Sequence, residues 1–316
     1  MNPRLSGRRG ELPPYCFAGR RRPLLGAGLR RVAVASVAIV VAGIAAVLVT
    51  GPQRSPTRAA PTRPPQPHPH RKPPLRPATP VAVPVATTQR LRLLHLATPF
   101  YCGRTSTREV AITFDDGPGP RTRAILSQLR AAGVRATFFE IGANALRRPR
   151  LARAETRAGE VGDHTLDHLD LDKLPLAGAR HEILAGRAAI LGATGVRPVL
   201  FRPPYEDADR TTERLIRQAG LLEVLWSVDS RDWQNGSVRQ LRQRVLAELH
   251  PGGIVLLHEQ ARHTLPTLRW LLGELKRRRL RPVTVSQLLA GAPPTTPQLL
   301  ADRRGRACVQ FPYRGK

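Results

Sequence analysis

Two short clusters of histidine and aspartate have the residue types that hold a metal ion and activate water. His164 and His168 stand four residues apart in the sequence HTLDH, and Asp115 and Asp116 are adjacent in TFDDGP. If the chain turns helical after a strand ending near His164, both imidazoles lie on one helix face and can grip one cation. One aspartate would then complete a two-histidine, one-carboxylate triad, and the other would stay free as a general base. The alternatives are a chance pair of surface histidines and a turn capped by its own aspartates.

Short apolar runs alternate with amphipathic stretches and predict the elements that would position these residues. Stretches such as 121–132 and 237–249 have the pattern of helices, and the apolar runs have the pattern of buried strands. About seven such strand–helix units imply a parallel sheet that is closed or nearly closed into a barrel. A doubly wound open sheet is the alternative. The predicted strands lie within residues 110–114, 136–142, 160–165, 199–204, 222–229, 253–259 and 282–290.

Polar residues repeatedly fall where a predicted strand ends. Random placement of acids and histidines would not select strand ends so often, and the carboxyl ends of parallel strands meet at one rim of a barrel. That rim is where such barrels keep their active sites. The residues in question are Asp115, Asp116, His164, Arg202, Asp229 and His258.

Five motifs resemble, in order, those of the NodB-homology polysaccharide deacetylases, which form carbohydrate esterase family 4. The resemblance covers about residues 110–289, and five ordered motifs are specific where each one alone is not. The family's fold, a distorted (β/α)7-type barrel, agrees with the strands predicted above. The motifs are TFDDGP (113–118), HTLDH (164–168), RPPY (202–205), DSRDW (229–233) and LLH (256–258).

The resemblance implies roles for the residues at matching positions. Asp116, His164 and His168 would bind a divalent metal, most simply zinc, with cobalt or another divalent ion as alternatives. Asp115 would be the general base that deprotonates water at the metal. His258 would protonate the leaving amine.

Five further residues are implied to support these groups. Arg202 would pair with the general base, and Asp232 would orient and tune the general acid. The backbone N–H of Tyr205 would stabilise the oxyanion that forms during attack. Trp233 and Leu256 would form apolar walls around the acetyl methyl group.

The activity implied by the resemblance is hydrolysis of N-acetyl groups on an amino-sugar polysaccharide, either peptidoglycan or a chitin-like oligomer. Two alternatives stay open: an O-acetyl esterase of the xylan type, and a non-catalytic module that binds cell-wall glycan. Glu206 departs from the family, which often has glycine at this position, but it replaces none of the implied catalytic groups.

The segments outside the predicted deacetylase domain, 102–290, predict a membrane-tethered protein. A basic segment, 1–31, precedes an uncharged apolar stretch, 32–50, which is long enough as a helix to cross a bilayer. No clear cleavage site follows, which favours an uncleaved signal anchor over a removed signal peptide. Residues 51–101 are rich in proline and arginine and predict a disordered, extended linker, while 291–316 form a polar tail. We therefore expect a single-pass protein of the cell membrane with an extracellular domain.

The charge and the cysteines bear on partners and compartment. The chain carries 51 Lys and Arg against 23 Asp and Glu, a formal net charge of +28. This excess favours anionic wall polymers or lipid as neighbours, although a GC-rich genome explains it equally well. Nucleic acid is not predicted, because the sequence has no recognised nucleic-acid motif. Cys102 and Cys308 flank the domain and predict an intramolecular disulfide if it is extracellular; two free thiols are the alternative.

Overall fold

The computed structural model describes residues 92–94, 99–234, 236–295 and 308. All of these lie within the compact unit Lys72–Lys316. The predicted basic segment and membrane anchor, together with most of the predicted linker and tail, fall outside the described residues. Of the helices described, none combines the length and the apolar character that a membrane span needs.

Eight strands form one curled parallel sheet. The strand order is β5-β4-β3-β2-β1-β7-β6, and β8 pairs with residues 109–111 of β1 on the edge opposite β7. No ladder joins β5 to β6 among the described strands, so the sheet is a half-barrel that curls without closing. The prediction of a parallel α/β fold is confirmed in this form. The strands are β1 (Glu109–Gly117), β2 (Ala136–Glu140), β3 (Gly159–Asp163), β4 (Leu200–Phe201), β5 (Leu222–Glu223), β6 (Val228–Asp229), β7 (Ile254–His258) and β8 (Arg281–Val283).

Helices connect the strands and cover the outer face of the sheet. Along β1 the side chains alternate, so that Phe114 packs outward against Ile125 and Leu268 while Thr113 and Asp115 point to the inner face. One apolar cluster therefore lies outside the curled sheet, and a second, which includes Ala111, Phe139 and Ile254, lies on its inner face beside the polar groups. The helices are α1 (Thr122–Ala132), α2 (Gly142–Arg147), α3 (Pro149–Ala158), α4 (Leu176–Thr194), α5 (Arg210–Gln218), α6 (Val238–Glu248), α7 (Thr264–Arg277) and α8 (Val285–Gly291).

The predicted strand at 222–229 is two short strands, β5 and β6, separated by residues 224–227. Phe100 lies beside this break: its N–H donates to the carbonyl of Glu223 at 2.9 Å, and its own carbonyl accepts from the N–H of Leu225 at 2.8 Å. An N-terminal segment of the domain thus covers the gap in the sheet, a long-range contact that no local pattern predicts.

The prediction of one strand over 282–290 is wrong beyond Val283. The chain turns into α8 at Thr284, whose side chain accepts from the N–H of Gln287 while the Gln287 side chain accepts from the N–H of Thr284. This reciprocal capping box is a helix start signal. It overrides the β-branched residues around it, which on their own favour a strand.

Cys102 and Cys308 form a disulfide with a Cα–Cα distance of 6.3 Å. Both cysteines are buried, and Cys102 also makes an antiparallel bridge with Gly253 at the start of β7. The disulfide expected from their flanking positions is therefore present, and the alternative of two free thiols is excluded for this pair.

Candidate active site

Three predicted ligands meet at the carboxyl ends of β1 and β3. The Oδ1 atom of Asp116 lies 3.6 Å from Nε2 of His164 and 3.2 Å from Nε2 of His168. One ligand atom from each residue lies within 4.8 Å of the other two, and this is the only such group of acids, cysteines or histidines among the described residues. The three atoms are close enough to share one ion.

The chemistry of these donors fits a divalent metal. Nδ1 of His164 lies 2.6 Å from the carbonyl oxygen of Arg202, which can only accept, so Nδ1 carries the proton and Nε2 keeps its lone pair. Burial lowers the pKa of His164 to about 4 despite the neighbouring Asp115, which keeps the ring neutral at pH 7. Oδ1 of Asp116 is buried and accepts no hydrogen bond from the described residues. A neutral imidazole and an unsatisfied buried carboxylate oxygen are what a zinc-like ion requires.

The electrostatics of Asp116 point the same way. Burial alone would raise its pKa, but His168, His258 and His164 outweigh burial and hold the pKa of Asp116 well below its usual range. The carboxyl group is therefore ionised at any physiological pH and available as a ligand.

The prediction that His164 and His168 share a helix face is wrong. Thr165 has φ 66° and His168 has φ 61°, both left-handed, and such residues interrupt an α-helix. Local side chains take the backbone donors instead: the N–H of Thr165 donates to Oδ1 of Asp163 and the N–H of His168 to Oγ1 of Thr165, each at 3.0 Å. The two imidazoles meet edge to face at 4.9 Å across this loop.

Backbone strain concentrates at the site. Asp116 with φ 69°, Tyr205 with φ 62° and Glu206 with φ 63° adopt the same left-handed region as the two residues of the histidine loop. Such conformations are uncommon for residues with side chains and cluster where function requires them. The residues with left-handed backbone angles thus lie in or next to the sequence motifs, at the carboxyl ends of the strands.

Arg202 is fully buried and holds Asp115. Its Nη1 donates to Oδ1 of Asp115 at 2.7 Å and to Oγ1 of Thr113 at 2.8 Å, while its other nitrogens donate to the carbonyls of Val224 and Leu225. The second carboxylate oxygen of Asp115, Oδ2, lies 3.9 Å from Nε2 of His164. One oxygen of Asp115 is thus tied down, and the other faces the metal ligands.

His258 and Asp232 form a second pair, in which Asp232 is buried and His258 is partly buried. Nδ1 of His258 donates to Oδ1 of Asp232 at 2.7 Å, and the backbone N–H of His258 donates to Oδ2 at 2.9 Å. The hydroxyl of Thr264 also donates to Oδ2, at 2.6 Å. Burial by itself lowers the pKa of His258, but Asp232, with smaller contributions from Asp116 and Asp115, raises it to about 9. His258 is therefore protonated at neutral pH.

The three predicted wall and oxyanion residues differ in exposure. Tyr205 is 64% exposed and its ring packs edge to face on His168 at 4.9 Å, which sets its backbone beside the metal ligands. Trp233 is 44% exposed on the Asp232 side of the site, whereas Leu256 is buried on β7 in register with Thr113. Two of the three side chains are therefore accessible from solvent, and that of Leu256 is not.

Two amide side chains that the motifs do not identify contact the site. Nδ2 of Asn144 and Nε2 of Gln260 donate to the backbone carbonyl of Asp116 at 3.0 and 3.1 Å. Asn144 lies in α2 and Gln260 follows the predicted strand 253–259, but neither belongs to a motif or to a metal-ligand spacing, so no pattern in the sequence singled them out.

Three buried glutamates lie behind the loop that follows β1. Glu259 accepts from the N–H of Gly119 and from the hydroxyl of Thr122, while Glu155 lies within hydrogen-bonding reach of both Glu140 and Glu259. Burial raises the pKa of Glu140 to about 7 and raises that of Glu155 and Glu259 as well. Burial therefore favours the protonated form of all three carboxyl groups.

A family model described as "Polysaccharide deacetylase" matches residues 103–224. Among curated proteins, the chain is 37% identical over 187 residues to a peptidoglycan-N-acetylglucosamine deacetylase of Bacillus cereus, covering 57% of this chain and 87% of that protein. It is 33% identical over 183 residues to the peptidoglycan-N-acetylglucosamine deacetylase PgdA of Listeria monocytogenes serotype 1/2a. That match covers 57% of this chain but only 39% of the length of the Listeria protein.

Among solved structures, the chain resembles a carbohydrate esterase family 4 pseudoenzyme from Bacillus anthracis. The TM-score is 0.58 at 27% sequence identity, and the match covers 61% of this chain and 69% of that one. The curled α/β sheet is therefore shared with that family.

Proposed function

The chain belongs to the polysaccharide deacetylase family, and on that premise we propose that it is a metal-dependent hydrolase that removes N-acetyl groups from peptidoglycan or a related amino-sugar polymer. The observation that carries the proposal is the site itself. Two imidazoles and a carboxylate converge on one point, with a second carboxylate beside them and a protonated imidazole facing them. The relatives named above, which act on peptidoglycan N-acetylglucosamine, support the choice of substrate.

Asp116, His164 and His168 would hold the ion. A divalent ion bound there supplies a Lewis acid that polarises the acetyl carbonyl and makes a nearby water more acidic. Zinc suits a set of two imidazoles and one carboxylate, and cobalt and other divalent ions suit it as well.

Asp115 acts as the general base in this proposal. Arg202 engages Oδ1 from within the protein, so Oδ2 on the side of His164 is the atom that accepts a proton from the attacking water. The buried ion pair also fixes the rotamer of Asp115, because the guanidinium has two more hydrogen bonds to backbone carbonyls. A fixed base needs no reorganisation as the water attacks.

His258 acts as the general acid. Its Nδ1 proton is committed to Asp232, so the Nε2 proton is the one delivered to the nitrogen of the leaving amine. The raised pKa of His258 keeps that proton in place at neutral pH. The oxyanion formed in the attack would be met by the N–H of Tyr205, and the exposed rings of Tyr205 and Trp233 would border the sugar.

We also propose that the domain works outside the cell at the membrane. The uncharged stretch 32–50 and the proline-rich segment 51–101 would tether it at a distance from the bilayer and within reach of the wall. Protease treatment of intact cells tests this: an accessible domain that stays in the membrane fraction supports the tether, and a protected or freely released domain contradicts it.

The activity is tested by incubating the purified, zinc-loaded chain with peptidoglycan fragments and with chitooligosaccharides, followed by mass spectrometry. We expect the loss of one acetyl mass per modified sugar, with acetate released and the product retaining its glycosidic bonds. Acetylated xylan in parallel tests the O-acetyl esterase alternative.

A non-catalytic module remains the second candidate because the Bacillus anthracis neighbour is described as a pseudoenzyme, and a shared fold does not guarantee shared chemistry. Against it, every implied ligand, base and acid is present in this chain and placed in one site. Glycan binding without release of acetate by the metal-loaded chain would favour the module.

A further inference from the structure

Both loops that carry the proposed metal ligands are attached to one turn of the chain. The N–H of Ile141, immediately before α2, donates to the carbonyl of Gly117 at 3.0 Å. The next two N–H groups, those of Gly142 and Ala143, donate to the carbonyls of Thr165 and Leu166, each at 2.9 Å. The loop after β1 and the loop after β3 therefore keep a fixed spacing set by the start of α2.

Two glycines allow this turn to lie so close to the ligand loops. A Cβ atom on Gly142 would lie 2.9 Å from the Cα of Gly186 in α4, and a Cβ on Gly186 would lie 2.5 Å from the backbone carbon of Thr165. Both distances are shorter than packed atoms allow, so side chains here would push α2 and α4 away from the histidine loop.

The same turn contributes a side chain to Asp116. Asn144 is buried, and its Nδ2 donates to the carbonyl of Asp116 at 3.0 Å. Its Oδ1 accepts from Nη2 of Arg147 at 2.5 Å, which fixes the amide with the nitrogen toward Asp116. From the opposite side of the site, Nε2 of the exposed Gln260 donates to the same carbonyl at 3.1 Å.

These two hydrogen bonds are accepted by the carbonyl of a residue whose backbone conformation is uncommon. Asp116 is left-handed with φ 69°, a region that residues with side chains rarely occupy. The conformation directs Oδ1 at both histidine Nε2 atoms. If the backbone angles of Asp116 changed to ordinary values, its carbonyl would move away from the side-chain amides of Asn144 and Gln260. The hydrogen bonds and the ligand geometry would then be lost together.

We propose that Asn144 and Gln260 are positioning residues that clamp the carbonyl of Asp116 and thereby hold its carboxylate in place for a divalent metal. This assignment rests on the proposed function only in taking Asp116, His164 and His168 as ligands. Groups outside the ligand shell that orient a ligand typically change metal affinity 10- to 100-fold when they are removed.

The test measures cobalt(II) affinity of the purified full-length chain by competition with a chelator, together with the visible absorption of the bound ion. Gln260→Met keeps the length of the side chain and removes the donor, and Asn144→Leu does the same at the buried position. Each is expected to raise the Kd for cobalt by about 10- to 100-fold. Gln243→Met, on the exposed face of α6, is the matched control and should leave the Kd unchanged.

Melting of the metal-free variants separates positioning from a loss of folding. Because Gln260 is on the surface, the metal-free Gln260→Met variant should have the melting temperature of the wild type. It should still bind cobalt, but weakly and with an altered absorption spectrum. If Asn144→Leu does not fold, Asn144→Ser replaces it, since serine is too short to reach the carbonyl. A folded variant with wild-type Kd and spectrum overturns the assignment of that residue. Failure of the wild type to bind cobalt would instead overturn the proposed metal site, so the two failures are distinguishable.

Discussion

Asp115 and His258 are paired in the parallel register of β1 and β7. Neighbouring parallel strands lie about 4.8 Å apart and their paired residues point to the same face. The proposed base and acid therefore stand side by side, yet Arg202 fixes one and Asp232 fixes the other. When an amide lies at the site, the attacking water can give its proton to Asp115. His258 can then give a proton to the amide nitrogen.

Replacement of Asp115 with asparagine should remove the base while leaving the ligands in place. Asparagine retains an oxygen for Arg202 but cannot accept the proton, so acetate release should fall by about 10²- to 10⁴-fold. Asp167→Asn, an exposed carboxylate in the histidine loop, is the control and should keep its activity. Steady-state kinetics on chitooligosaccharides measure acetate release, and cobalt titration measures whether the metal ligands are still in place. Retained turnover in Asp115→Asn would exclude Asp115 as the base.

The alkaline limit of activity should depend on Asp232. His258 must be protonated to act, and its pKa is raised to about 9, so kcat/KM should decline as pH rises through about 9. Asp232→Asn removes the charge that raises the pKa, so the decline should move to lower pH. A pH profile of kcat/KM measures the shift, and an unmoved alkaline limb would show that His258 is not the titrating group.

Metal should stabilise the folded chain. The ligands are brought together only by folding, so zinc at 100 times its Kd should add about 2.7 kcal/mol to the free energy of unfolding. Melting temperatures with zinc and after chelation measure the effect. His168→Ala should abolish most of the increment, because one of the three proposed ligands is lost. If zinc raised the melting temperature of His168→Ala as much as that of the wild type, the ion would be bound elsewhere.

The buried glutamates should make the fold less stable as pH rises. Glu140 has a folded pKa of about 7 against 4.5 when unfolded, so the folded state binds more protons between these values. Stability then falls as pH rises from about 4.5 to about 7. Glu140→Gln should flatten this dependence and melt higher than the wild type at pH 8, whereas Asp167→Asn should not. Chemical denaturation at pH 5 and pH 8 measures how much the free energy of unfolding of each protein changes between the two pH values.

Much of the site was predictable because its residues stand at strand ends. Once the strands β1, β3 and β7 are read from their apolar patterns, parallel pairing alone brings Asp116, His164 and His258 to one rim. The pairing of Arg202 with Asp115 followed from the family motifs and is present in the structure.

What the sequence did not reveal depends on contacts between distant segments or on unusual backbone angles. Spacing of four residues is compatible with a helix and with a loop, and the left-handed angles at Thr165 and His168 decide for the loop. Asn144 and Gln260 come from separate elements and meet only at the carbonyl of Asp116. The periodicity of the sequence does not predict such a contact between distant residues.

The disulfide between Cys102 and Cys308 turns the chain between them into a covalent ring. A single cut in an exposed loop of that ring, such as the one around Asp207, would open the ring but leave both pieces joined. The two pieces would separate covalently only after a second cut within the ring or reduction of the disulfide.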